Sequence, residues 1–116
     1  MNVNRQEHKE IETLKNCLVN TLKPAKIYLF GSFAEGRQSQ NSDFDFYIVM
    51  HDNTTERMLA LTTKAYKAIT NLRTRAVDII INKETRFDSR KNLQLTVENE
   101  VATKGVLVYP YAILMI

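Results

Sequence analysis

Apolar residues first recur at helical spacing. Ile11, Leu14, Cys17, Leu18 and Leu22 fall three and four apart with polar residues between them, which predicts an amphipathic helix over about residues 4 to 22. Pro24 ends it. The pattern then shortens: "KIYLF" at 26–30 is β-favouring and bounded by Pro24 and Gly31, so a first strand is expected there. From Phe44 to Met50 the chain is almost continuously apolar apart from Asp45, as in a strand covered on much of both faces. Asp52, Asn53 and Thr54 offer turn and N-cap chemistry, after which Met58, Leu61, Ala65, Ile69 and Leu72 define a second helical stripe. "AVDIII" at 76–81 reads as a third strand with one embedded acid, Asp78. A third helix is expected to be capped by Asp88 or Ser89, to run through Leu93, Val97 and Val101, and to close at Lys104 and Gly105. "VLVY" at 106–109 makes a short last strand, stopped by Pro110.

The order α, β, β, α, β, α, β predicts a mixed α/β (α+β) domain in which helices cover one face of a small sheet. The pattern leaves parallel and antiparallel pairing open. A length of 116 residues is that of one ordinary domain, so a single domain over 1–116 is expected. The one cysteine, Cys17, has no internal disulfide partner and falls among core positions of the first helix. No run resembles a signal peptide or spans a bilayer, so the expected location is the cytoplasm. A net charge of +3 comes from Lys and Arg scattered along the chain, which describes a solvated surface better than a nucleic-acid patch. His8 and His51 lack metal-ligand spacing. Tyr28, Tyr47 and Tyr66 are expected at the core or its rim, with Tyr47 on the same strand face as Asp45.

One stretch does change the picture: "GSFAEGRQSQNSDFD" at 31–45. Side chains two apart on a strand share a face, so Asp43 and Asp45 project together while Phe44, Phe46 and Ile48 turn toward the helices. Paired carboxylates repel and raise each other's pKa, a cost offset where a cation neutralises both. Magnesium, with its preference for oxygen ligands, is the natural candidate. Gly31 permits close approach of backbone to a ligand, and Ser32 offers a hydroxyl and can open a short helix. Asp78 interrupts an apolar strand, so it either completes an acidic triad or forms a salt bridge to Arg73, Arg75 or a lysine. Taken alone, the D-x-D also fits a turn cap and an exposed strand position.

Gly31-Ser32, ten residues, then Asp43-Phe44-Asp45, an apolar strand and later "VDIII", together resemble the GSx10DxD signature of the polymerase-β-like nucleotidyltransferases. The likeness is greatest to the minimal nucleotidyltransferases, and it extends over nearly the whole chain to "GVLVY". It implies that Asp43 and Asp45 bind magnesium, and that Asp78 joins them and helps to activate the attacking hydroxyl. It further implies that Gly31 and Ser32 hold nucleotide phosphate. Of the basic residues near the turn, Arg37 either assists the triphosphate or faces solvent. The implied reaction is transfer of AMP from ATP to an acceptor with release of pyrophosphate. Many minimal members are antitoxins that adenylylate a tyrosine of a HEPN-domain partner. Glu35 stands where the motif usually carries Arg or Lys. Two other readings remain: a small-molecule nucleotidyltransferase, and a non-catalytic module that neutralises a partner by docking. The tail "YPYAILMI" is apolar enough to pack on the domain's own core or to join a homo- or hetero-oligomer.

Overall fold

The structure, a computed structural model, describes residues 3–110, so the apolar tail from 111 onward lies outside it. The first helix, α1 (Arg5–Leu22), is opened by a reciprocal cap: Asn4 Oδ1 accepts from the Glu7 amide at 2.7 Å, and Glu7 Oε1 accepts from the Asn4 amide at 3.0 Å. It is closed by Lys23 in the left-handed region (φ 52°), and it buries Ile11, Leu14, Leu18 and Leu22. There follow β1 (Lys26–Phe30), α2 (Ser32–Glu35), β2 (Phe44–Met50), α3 (Met58–Ile69) and β3 (Val77–Lys83), then α4 (Glu84–Arg90), α5 (Val97–Lys104) and β4 (Val106–Tyr109).

The strands form one mixed sheet in the order β3-β2-β1-β4. β1 runs antiparallel to both β2 and β4, whereas β2 and β3 are parallel and are joined across the sheet by α3. The mixed α+β class read from the sequence is the one observed. β2 is central, and five of its seven side chains are buried in succession from Phe46 to Met50. Its even positions Phe44, Phe46, Ile48 and Met50 enter the main core with α1 and α3. At roughly 1.5–3 kcal/mol for each large apolar side chain buried, this row is what holds the strand in register.

Helices lie on both faces, not on one. Tyr47 and Val49, on the other side of β2, form a second core with Phe87 of α4 and Val101 of α5. The expected third helix is in fact two. Asp88 and Ser89 lie within α4, and the operative cap is Thr96, whose Oγ1 accepts from the Asn99 amide at 3.0 Å. Leu93, expected in the core, falls in the turn between the two helices and is exposed. Asp52 does not cap α3: it accepts from the Thr85 amide at 3.0 Å and Thr85 Oγ1 at 2.7 Å, tying the end of β2 to α4. α3 starts instead after Arg57, without a side-chain cap, and Leu72 lies beyond its end in solvent. Cys17 packs against the main core, its thiol donating to the Ala68 carbonyl at 3.4 Å. Among the described residues no helix is long and apolar enough to cross a membrane.

Candidate active site

The strand register brings the acids together. Asp45 is the partner of Phe30 on one side and of Asp78 on the other, so the two acids sit on adjacent strands at one level of the sheet. Neighbouring strands are about 4.8 Å apart, close enough for carboxylates on a shared face to interact directly. Asp43 comes just before the first residue of β2. Gly31 directly follows Phe30, so the Gly-Ser turn stands beside the same row. Its φ is +78°, and a Cβ built there would overlap the Asp45 carboxylate. Glycine is thus required twice over, by backbone conformation and by the acid pressed against it. Ser32 begins α2, as expected.

Asp78 departs from expectation in one respect. It is exposed. Among the described residues it makes no salt bridge, and the alternative pairing with Arg73 or Arg75 does not form. Arg73 donates to the Arg75 carbonyl, and Arg75 turns toward α1.

The charge has a measurable consequence at Asp45. Its pKa is pushed up to about 6, first by burial, then by the charges of Asp78 and Asp43, by a hydrogen bond with Asp78, and by Glu100 of α5. Between about pH 4 and pH 6, Asp45 therefore holds a proton that an isolated aspartate would have lost. Hard oxygen donors with excess negative charge suit a divalent cation. Among the described residues no group of three or more His, Cys, Asp or Glu side chains is placed so that it could hold a metal ion. Magnesium usually keeps several waters and takes only one or two carboxylates together with substrate phosphates, so the paired aspartates are a chemically suitable donor set for it.

Arg37 is exposed and engaged with Glu35: Nε to Oε1 and Nη2 to Oε2 are both 3.3 Å. That bond lowers the Glu35 pKa, with a further pull from Lys104, while Glu100 adds to the hold on Arg37. Glu100 and Lys104, one turn apart on α5, thus act by their charge on this end of the sheet. Sequence reasoning missed both. Gly105, the C-cap of α5, lies against the Leu29 carbonyl of β1, which is what carries this end of the helix to the turn. A cavity of about 400 Å³ runs along α5 and is lined by Glu100, Thr103 and Lys104 among others. It does not include the three acids, but it shares these two charged residues with their surroundings.

Tyr47 does not border an open pocket. Its hydroxyl donates to Glu98 Oε2 at 2.7 Å and accepts from Asn82 Nδ2 at 3.2 Å, and Glu98 Oε1 accepts from Arg90 Nε at 3.0 Å. Glu98 is only 2% exposed, yet it stays ionised: burial works against the charge, but Tyr47 and Arg90 together outweigh it. Tyr28 stacks on Phe87, and the Tyr66 hydroxyl accepts from the Ile79 amide of β3. His8 and His51 are exposed.

A mixed sheet whose second strand is entered through paired aspartates, with a third acid level on the next strand and a Gly-Ser turn alongside, is the arrangement that the resemblance to nucleotidyltransferases leads one to expect. Residues 12–111 match the family model described as "Polymerase beta, Nucleotidyltransferase", and the chain belongs to that family. Similar solved structures include a candidate nucleotidyltransferase from Sulfolobus solfataricus, at 18% identity and a TM-score of 0.54 over 85% of this chain and 76% of that one. A toxin–antitoxin complex with AMP-PNP shares 22% identity at a TM-score of 0.53, over 87% and 74% of the two chains. A mutant of the toxin–antitoxin MntA-HpeT shares 22% at 0.54, over 89% and 74%. At such identities the likeness is one of fold. No curated protein matches the chain.

Proposed function

We propose that the chain is a magnesium-dependent nucleotidyltransferase that moves AMP from ATP to a hydroxyl of a partner protein. The acceptor we infer is a tyrosine of a HEPN-domain toxin, which the chain neutralises as its antitoxin. The observation that carries this reading is the placement of Asp45 opposite Asp78 in the parallel register, with Asp43 and Gly31 alongside. The toxin–antitoxin structures of similar fold support the partner, and the one holding AMP-PNP supports an adenine nucleotide.

Asp43, Asp45 and Asp78 are the magnesium ligands in this reading. A magnesium ion held by these residues would supply neutralisation of triphosphate charge and a lowered pKa for the attacking hydroxyl. Gly31 lets the backbone approach the phosphates without a side chain in the way, and Ser32 supplies a hydroxyl donor. Arg37 exchanges part of its contact with Glu35 for phosphate oxygens. The acceptor oxygen forms a bond to the α-phosphorus while the bond from that phosphorus to the bridging oxygen breaks. Its proton passes to Asp78, and pyrophosphate leaves. Most of the rate enhancement comes from placement and charge neutralisation, since the protein forms no covalent intermediate.

The experiment is incubation of the chain with ATP, magnesium and the product of the neighbouring open reading frame, read by intact-protein mass spectrometry. Adenylylation of a partner tyrosine that disappears in Asp43→Ala and in Asp78→Asn supports the enzyme. A tight complex with no modified partner assigns the chain to docking alone.

A further inference from the structure

We propose that Arg75 is the positioning residue of the acidic constellation, fixing the Gly-Ser turn, the paired aspartates and the strand of Asp78 in one relative geometry. This inference rests on the catalytic reading above. Arg75 lies two residues before β3 and contacts each of the other segments that build the site. Its guanidinium carbon is 4.8 Å from the centroid of the Phe44 ring and 5.0 Å from that of Phe33. Phe44 stands between Asp43 and Asp45, and Phe33 directly follows Ser32. The two rings meet at 4.6 Å, so one cation covers an aromatic pair that joins the turn to the acids.

Backbone contacts extend the clamp. Arg75 Nη1 donates to the Ser42 carbonyl at 3.3 Å, immediately before Asp43. The next carbonyl along the chain, that of Ala76, accepts from the Phe44 amide at 3.1 Å and opens the parallel pairing that sets Asp45 opposite Asp78. From behind, α1 holds the charge: Nη2 is 3.7 Å from Glu7 Oε2 and Nε is 3.8 Å from Glu10 Oε1. Glu10 is itself fixed by the Thr74 amide at 2.6 Å and the Thr74 hydroxyl at 2.8 Å. The buried Nε makes no hydrogen bond, as expected if the two rings, more than the carboxylates, set the plane of the guanidinium. Arg75 contacts none of the three aspartates, so it acts through Phe44, Ser42 and the strand start. A lysine offers charge without the flat fork that lies over the rings.

The test uses the whole chain with Arg75→Met, Arg75→Lys and Glu10→Gln, and Mn2+ with a non-hydrolysable ATP analogue as probe. Affinity is read from free Mn2+ by electron paramagnetic resonance, and thermal melting is followed in parallel. Loss of a residue that orients metal ligands weakens metal binding about ten-fold or more, so Arg75→Met is expected to show that loss. Arg75→Lys is expected to recover only part of it, and Glu10→Gln to show a smaller loss in the same direction. An arginine that serves stability alone lowers the melting temperature but leaves the folded fraction binding within about two-fold of the unaltered chain, and that result overturns the proposal. If Arg75→Met does not fold, unchanged affinity in both Arg75→Lys and Glu10→Gln overturns it equally. An unaltered chain that takes up no Mn2+-nucleotide fails earlier, because it removes the catalytic reading on which this one stands.

Discussion

Gly31 and Asp45 are two halves of one arrangement. A methyl group at position 31 meets the Asp45 carboxylate and forces a side chain into a left-handed backbone, so Gly31→Ala is expected to cost about 1–3 kcal/mol of stability. Chemical denaturation measures this, and a cost near zero contradicts the packing described. Asp45 gives a second prediction, in pH. Because its folded-state pKa of about 6 lies above the ordinary value of 3.8, the metal-free chain has the benefit of its protonation in full below pH 3.8 and loses it as pH rises through about 6. Asp45→Asn removes the repulsion. Allowing for solvent screening of a partly exposed group, that variant is expected to be more stable by about 1 kcal/mol at pH 8, and to lose this advantage at low pH. Melting curves at the two pH values decide it. Uptake of a divalent cation competes with the same proton, so apparent affinity is expected to rise through pH 6.

At the scale of elements, the fold depends on how the two short helices close over Tyr47 and Val49. The buried carboxylate of Glu98 links α5 to β2 through Tyr47 and to α4 through Arg90. Tyr47→Phe leaves one carboxylate oxygen without its donor in a dry site and is expected to cost about 1–3 kcal/mol. Glu98→Gln, which retains shape but discards the charge, tests the ion pair with Arg90 separately. Here the sequence was least legible. The Gly-Ser turn and the paired aspartates lie within fifteen residues, and strand periodicity alone places their side chains. The Tyr47–Glu98 bond spans 51 residues, and no local pattern distinguishes this glutamate from the solvent-facing acids around it. Glu100 escaped notice for the same reason, and Arg75 and Lys104 were read only as a possible partner of Asp78 and as a helix end, because what they do here depends on contacts remote in sequence. The division of the expected third helix follows from Thr96, a better-placed cap than Asp88 or Ser89, and from Leu95, which adopts a positive φ of 69° in the turn before it.

For the molecule as a whole, the proposed function has the acids at one end of the sheet exchange metal-free stability for affinity toward a cation and a polyanion together. A ligand present at a hundred times its dissociation constant adds about 2.7 kcal/mol to stability. Magnesium with a non-hydrolysable ATP analogue is therefore expected to raise the melting temperature by several degrees, a shift that EDTA reverses and Asp43→Ala abolishes. Nucleotide alone is expected to do much less, because five carboxylates, Glu35, Asp43, Asp45, Asp78 and Glu100, stand around the turn against Arg37 and Lys104. An equal shift without the metal contradicts the proposed roles of the acids.

The parallel pairing of β2 with β3 also sets a timetable. Asp45 leaves the ribosome well before Asp78, because the whole of α3 lies between the two parallel strands in the chain. No nascent fragment ending before residue 78 contains all three aspartates, so the constellation assembles only once β3 has been made.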